Sequence, residues 1–164
     1  MATVYGSYVA MTVTSLQSLA NDATDPFAGW QSERIDNTVT QADDYEIQIL
    51  LSTAATGPAN EQAVSVYVVP WMKDLGSAWT PMANFGTTTR PSGSQGTANM
   101  SEPNSMKGPI VLPYVITSQP IDGSFTIGQM CGGIVPDGWS LALRNASGAA
   151  LGTGCVVAYR PINY

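Results

Sequence analysis

DYEIQILLST, residues 44–53, followed by QAVSVYVVP, residues 62–70, decides the fold. In the first run Tyr45, Ile47, Ile49 and Leu51 fall on one face and Glu46, Gln48 and Leu50 on the other, the period-2 pattern of a half-buried strand. The second places Val64, Val66 and Val68 opposite Ser65, Tyr67 and Val69, and the turn chemistry of TGPAN, residues 56–60, lies between them. The pair reads as a hairpin.

Working outward, the C-terminal half repeats the pattern in PIVLPYVIT (109–117), SFTIGQM (124–130), WSLALRN (139–145) and TGCVVAYR (153–160). Their separators are turn formers: Gln119-Pro120 through Asp122-Gly123, Pro136-Asp137-Gly138, and Asn145 through Gly148. Pro113 removes a ladder donor, which places its strand at a sheet edge or on a bulge. With WQSERIDNTVT (30–40) added, about seven or eight strands result, the count of an all-β, jelly-roll-like or immunoglobulin-like sandwich. Helix signals are nearly absent. Thr14–Asn21 reads equally as a helical turn or a strand.

Residues 72–107 break the period while holding Trp79, Met82, Phe85, Met100 and Met106. A long insertion of this kind is either a surface loop packing its own side chains or an arm lying on a neighbouring subunit. Residues 1–25 form an extended N-terminal segment ahead of a β-sandwich domain at 26–164. Its apolar, hydroxyl-rich start, with Val4, Tyr5 and Tyr8, either adds a strand to a partner's sheet edge or supplies the first strand of its own sheet.

The 164-residue chain suits one domain. It is 44% hydrophobic but 11% charged, against about 25% in typical domains. Its net charge is −6 and its cations are scattered, so no basic stripe exists for nucleic acid. The first 33 residues hold no Lys or Arg, unlike a secretory signal, and are too rich in Thr and Ser to span a membrane. Synthesis in the cytoplasm is expected. Cys131 and Cys155 lack metal or redox spacing and read as two buried thiols or as one disulfide.

The chain has no histidine, which removes the commonest general base and transition-metal ligand. Asp22 with Asp25, and Asp43 with Asp44, are oxygen-donor pairs of the kind calcium accepts, though paired Asp equally serves turns. No two carboxylates are singled out as a glycosidase pair. Asn99-Met100-Ser101 and Asn145-Ala146-Ser147 match the glycosylation pattern. The tryptophans either stack sugars or fill the core, and Trp79 is the least committed to the core. No enzyme activity, cofactor or metal is expected.

Two stretches carry a likeness: TSLQSLANDATDPFAGWQSERIDNTVTQADDYEIQILLSTA (14–54) and MCGGIVPDGWSLALRNASGAALGTGCVVAYRPI (130–162). The opening elements are Leu16, Leu19-Ala20, Trp30-Gln31-Ser32 and Ile35-Asp36-Asn37-Thr38. The closing ones are Gly132-Gly133, Pro136, Trp139, Asn145, Gly148, Ala150-Leu151, Gly154 and Tyr159, in what would be the last hairpin. They resemble the small virion proteins of tailed phages that serve as capsid decoration (cement) or head-fibre proteins, and the likeness covers about half the chain, without the insertion. The resemblance implies a jelly-roll-like fold, a place on the outer capsid surface, and binding to the major capsid protein and to itself, as a homotrimer or other homo-oligomer. It brings no catalytic residues. The contact candidates are then Val4, Tyr5, Tyr8, Trp79, Met82, Phe85, Met100 and Met106. A receptor- or glycan-binding domain of a phage fibre, using the aromatics of 71–85, is the alternative.

Overall fold

The computed structural model describes residues 2–21, 28–53, 63–82, 96–99, 107–113 and 121–164. Its strands are β1 (Val4–Tyr5), β2 (Val9–Ala10), β3 (Ala28–Gln31), β4 (Ile35–Asp36), β5 (Asp44–Leu51), β6 (Ala63–Lys73), β7 (Trp79–Pro81), β8 (Gly96–Asn99), β9 (Lys107–Pro113), β10 (Ile121–Thr126), β11 (Gly138–Ala146) and β12 (Val156–Asn163). Among the described residues helix is confined to a 3-10 turn at Leu16–Ser18, α1 (Asn37–Thr40) and α2 (Ile127–Met130). Among the described residues no helix is long and apolar enough to cross a membrane.

The strands form two antiparallel sheets, an all-β sandwich. In the first the order is β1-β12-β5-β10, with β2 also on β12. In the second it is β7-β6-β11-β3-β8, with β4 on β11 and β9 on β6. The period-2 reading of β5 and β6 holds: Tyr45, Ile47, Ile49 and Leu51 meet Val64, Val66 and Val68 in one core with Trp30, Trp139, Leu141, Leu143 and Val157. Burying such a side chain contributes about 1.5–3 kcal/mol, so this interface is the principal source of stability.

The hairpin expected of residues 44–70 does not form. β5 and β6 lie in different sheets, as do β11 and β12, so the expected last hairpin is absent too. Side by side, the apolar faces of β5 and β6 would still need a covering layer. Face to face, they cover each other.

Other expectations change locally. Residues 124–130 are not one strand: β10 ends at Thr126, whose Oγ1 accepts the Gln129 amide at 3.1 Å while Asp44 Oδ1 accepts that of Gly128 at 2.7 Å, turning the chain into α2. Asp122-Gly123 lies inside β10 rather than in a turn, because the space of a Cβ at 123 is filled by Leu112 Cδ2. Residues 72–107 are not without structure. β6 runs on to Lys73, β7 folds back on it and β8 pairs with β3, in strands too short to show a period. As expected of Pro113, β9 pairs among the described residues with β6 alone, with a register shift at Val66–Val68, and Pro113 is its last residue.

Two register shifts position side chains. Gln31 pairs with Ala142 and Ile35 with Trp139, so Ser32, Glu33 and Arg34 face only Ser140 and Leu141. The extra residue turns Ile35 toward the core and Arg34 to the outer face beside Gln31. Likewise Tyr5 pairs with Ile162 and Val9 with Tyr159, so Gly6, Ser7 and Tyr8 face Arg160 and Pro161. Pro161 has no N–H to donate, and its carbonyl accepts from Gly6 N at 2.8 Å. Here the extra residue brings Tyr8 onto the same face as Tyr5.

Candidate functional site

The N-terminal segment lies along its own sheet. β1 and β2 pair with β12, Met11 N donates to Val157 O at 2.8 Å, and Met11 and Leu16 are buried. Its root is held by Asn145, fully buried, whose Nδ2 donates to Leu19 O, Ala20 O and Ala149 O at 3.1, 3.3 and 2.9 Å. Outside this anchor Val4, Tyr5, Tyr8 and Val9 stay exposed, at 60, 54, 39 and 46%.

Tyr5 and Tyr8 flank a cation. The Arg160 guanidinium lies 4.3 Å from the centre of the Tyr5 ring and 4.7 Å from that of Tyr8. Its Nε donates to Glu46 Oε2 at 2.6 Å, and that bond holds the guanidinium above its ordinary pKa. Burial, then the Glu46 charge, pushes the Tyr8 hydroxyl up, so this ring is neutral at pH 7. A rigid aromatic pair with a paired cation between them offers contact area at low entropic cost. Beside it the outer face of the first sheet forms a depression of about 460 Å³ lined by Gln48, Leu50, Asp122, Ser124, Val156 and Ala158.

A second cluster sits on the outer face of the other sheet. Tyr67, Val69, Trp71 and Ala142 are buried there with Trp79 packed against them. Ser140 Oγ accepts from Trp71 Nε1 at 3.0 Å and from Gln31 Nε2 at 3.2 Å. Arg34 lies 4.2 Å from the Trp79 ring centre and 5.5 Å from that of Trp71. Burial pulls its pKa below the ordinary value, against the Asp36 charge that raises it. Asp36 itself is pushed up by burial, but the Thr38 hydroxyl and amide and the Lys73 ammonium outweigh this and hold its carboxyl below the usual range. Their distances to Asp36 are 2.6, 2.9 and 3.4 Å.

Of the contact candidates, Val4, Tyr5 and Tyr8 thus come together on one edge. Trp79 is half-buried and Met82 is 62% exposed on the second sheet. Phe85, Met100 and Met106 lie outside the described residues. The sequence reading missed Arg160 and Arg34. Arg160 could have been found by carrying the alternation Val156, Ala158 one step further, whereas Arg34 could not, because its face depends on the bulge.

The remaining candidates resolve simply. Asp43 and Asp44 do not pair as a cation site: Asp43 Oδ2 accepts from Tyr164 N, and Asp44 Oδ1 from the Tyr45 and Gly128 amides. Asp22 and Asp25 lie outside the described residues. Among the described residues no three Cys, Asp or Glu side chains are grouped to hold a metal ion. Cys131 and Cys155 are free thiols, and burial pushes that of Cys131 up. Trp30, Trp71 and Trp139 are buried, so they form no sugar platform. The chain matches no protein-family model and no curated protein.

Proposed function

We propose that this chain is a non-enzymatic virion structural protein that decorates and stabilises the outside of a tailed-phage capsid, binding the major capsid protein and itself. The observation that carries the reading is the edge formed by β1 and β2. Val4, Tyr5, Tyr8 and Val9 are exposed in one short stretch whose backbone, among the described residues, pairs on one side only, along β12. An apolar, open sheet edge is a hazard in a free protein and an asset in one that docks. The strand order adds support. With β7 and β8 set aside, β1/β2-β12-β5-β10 in one sheet and β3-β11-β6-β9 in the other is a succession compatible with the jelly-roll arrangement expected above, a fold found in capsid and lectin domains.

Heads lacking the protein, with the purified chain added back, provide the test. Wild type is expected to occupy the heads and raise the temperature at which they open. The Tyr5→Ser/Tyr8→Ser double variant, changed only at exposed positions, is expected to stay folded and lose occupancy. Heads equally stable with and without the protein sink the cement role, and full occupancy by the double variant moves the contact off this edge.

The depression beside Tyr8 favours a second reading, a glycan-binding domain. Its polar lining of Gln48, Asp122 and Ser124 next to Leu50 and Val156 has the mixed character that sugars require. Glycan-array binding abolished by Gln48→Ala would support it, and a blank array would reject it.

A further inference from the structure

Arg34 is 8% exposed, yet among the described residues nothing accepts a hydrogen bond from it, and its Nε is shut away from solvent without a partner. Gln31 Oε1, on the same outer face, is also buried and unpartnered. A guanidinium carries five donors, of which the sealed Nε–H is left unmet at a cost, while those on the terminal nitrogens remain to be filled by water or by another group. The two indoles offset part of that cost through the π-system. The carboxylate acting on Arg34, Asp36, already accepts from Thr38 and Lys73. The fold moreover inserts one extra residue to aim this side chain outward, as bulges do beside working sites.

Both indoles lie within cation–π reach of the guanidinium, and its terminal N–H groups, unlike the sealed Nε, are the donors an incoming group can meet. The complement of those donors is a flat pair of oxygens. We propose that Arg34 is a socket for one carboxylate, presented by an acidic peptide segment of the docking partner and entering alongside Trp79. The surroundings favour a peptide over an acidic sugar. On the Arg34 face Lys73 lies 5.2 Å from the Trp79 ring centre, and Leu75 is exposed in the turn joining β6 to β7, so the site offers a second cation and apolar contact to a chain of several residues rather than hydrogen bonds to ring hydroxyls. The inference rests on the reading that this protein docks onto a protein shell.

The full chain, labelled with nitrogen-15, can be titrated with acetyl-Ala-Ala-Glu-Ala-Ala-amide and with its Gln counterpart. The Glu peptide is expected to shift the Arg34 Nε–H and the Trp71 and Trp79 indole N–H signals saturably, the Gln peptide not. Arg34→Lys keeps the charge but loses the fork, and should weaken the response by about tenfold or more. Arg34→Met should abolish it while melting no lower than wild type, since an unmet buried cation is removed. If Met at this position impairs folding, the Lys variant carries the comparison. No saturable shift, equal shifts with both peptides, or an unaffected Lys variant overturns the proposal. A missing peptide response leaves the shell reading to the Tyr5–Tyr8 edge. A clean peptide response with no uptake by heads supports the socket and rejects the shell.

Discussion

Replacing Asn145 by alanine removes the clip that ties the N-terminal segment to the end of β11. Asn145 Oδ1 accepts from Ser147 N at 3.1 Å and Ser147 Oγ at 2.7 Å, while its amide serves the three carbonyls named above. Not all of these lose everything. Leu19 O keeps the Leu151 amide at 2.9 Å, and Ala149 O keeps Ser147 Oγ at 3.1 Å. Ser147 N, in a buried residue, is left without a partner among the described residues, while the carbonyl of exposed Ala20 loses this bond and turns to water. The orphaned amide at ~1–3 kcal/mol and the lost bond to Ala20 O at ~1 kcal/mol give a loss of about 3 kcal/mol. A domain of this size shifts by ~2–4 °C per kcal/mol, so calorimetry should show a Tm lower by about 6–12 °C. Hydrogen exchange adds the location: amides of Met11, Leu16 and Leu19 should lose protection before those of β6 and β11. Asn145→Asp sharpens the test, since a carboxylate there faces three carbonyl oxygens and its pKa must rise on folding. Its stability is then fully present below the unfolded value of about 3.9 and is lost as pH rises through the folded one, so it should trail wild type more at pH 7 than at pH 4. An Asn145→Ala protein melting within about 2 °C of wild type would refute the reasoning.

A Cβ added at Gly138 would lie 2.7 Å from Trp79 Cζ3 and 3.0 Å from Ile35 O. The indole can swing out but the carbonyl cannot, so Gly138→Ala should cost about 1–3 kcal/mol in denaturant and red-shift the tryptophan emission, and an unchanged midpoint and spectrum would count against it. Asp36 titrates below its ordinary value, so its stabilisation is complete above the unfolded pKa of about 3.9 and disappears as pH falls through the lower folded one. The stability gap between wild type and Asp36→Asn should therefore be flat from about pH 5 upward and close in acid, and Lys73→Met should raise the Asp36 pKa in an NMR titration. Cys155, buried with Sγ 3.3 Å from Gly152 O, should react with a thiol reagent only on unfolding, and half-buried Cys131 slowly at pH 8. Fast labelling of both in the native protein contradicts this.

Much of the scaffold is legible in the residues because it depends on local alternation. Tyr45 through Leu51 and Trp139 through Leu143 declare their buried faces whatever strands lie beside them. Neighbours are another matter, since alternation says which face is apolar and not whether the next strand lies alongside or opposite. That is why β5 and β6 read as a hairpin and fold as two layers. The sites were legible only in part. Tyr5 and Tyr8 stand out as aromatics in a hydroxyl-rich stretch, but nothing nearby announces Arg160 between them. Arg34 reads as an ordinary charge in a polar run until the extra residue at 32–34 reverses its side.

The place of β12 sets an order of events. Of the described strands it is the last to leave the ribosome, and it lies between β5 and the pair formed by β1 and β2. While the chain is being made, β11 can already settle on β6 and β10 on β5. The first strands have no seat until the final one arrives. The earliest-made of the described strands are thus the latest of them to be fixed, and for that interval their tyrosines face whatever surface the nascent protein meets.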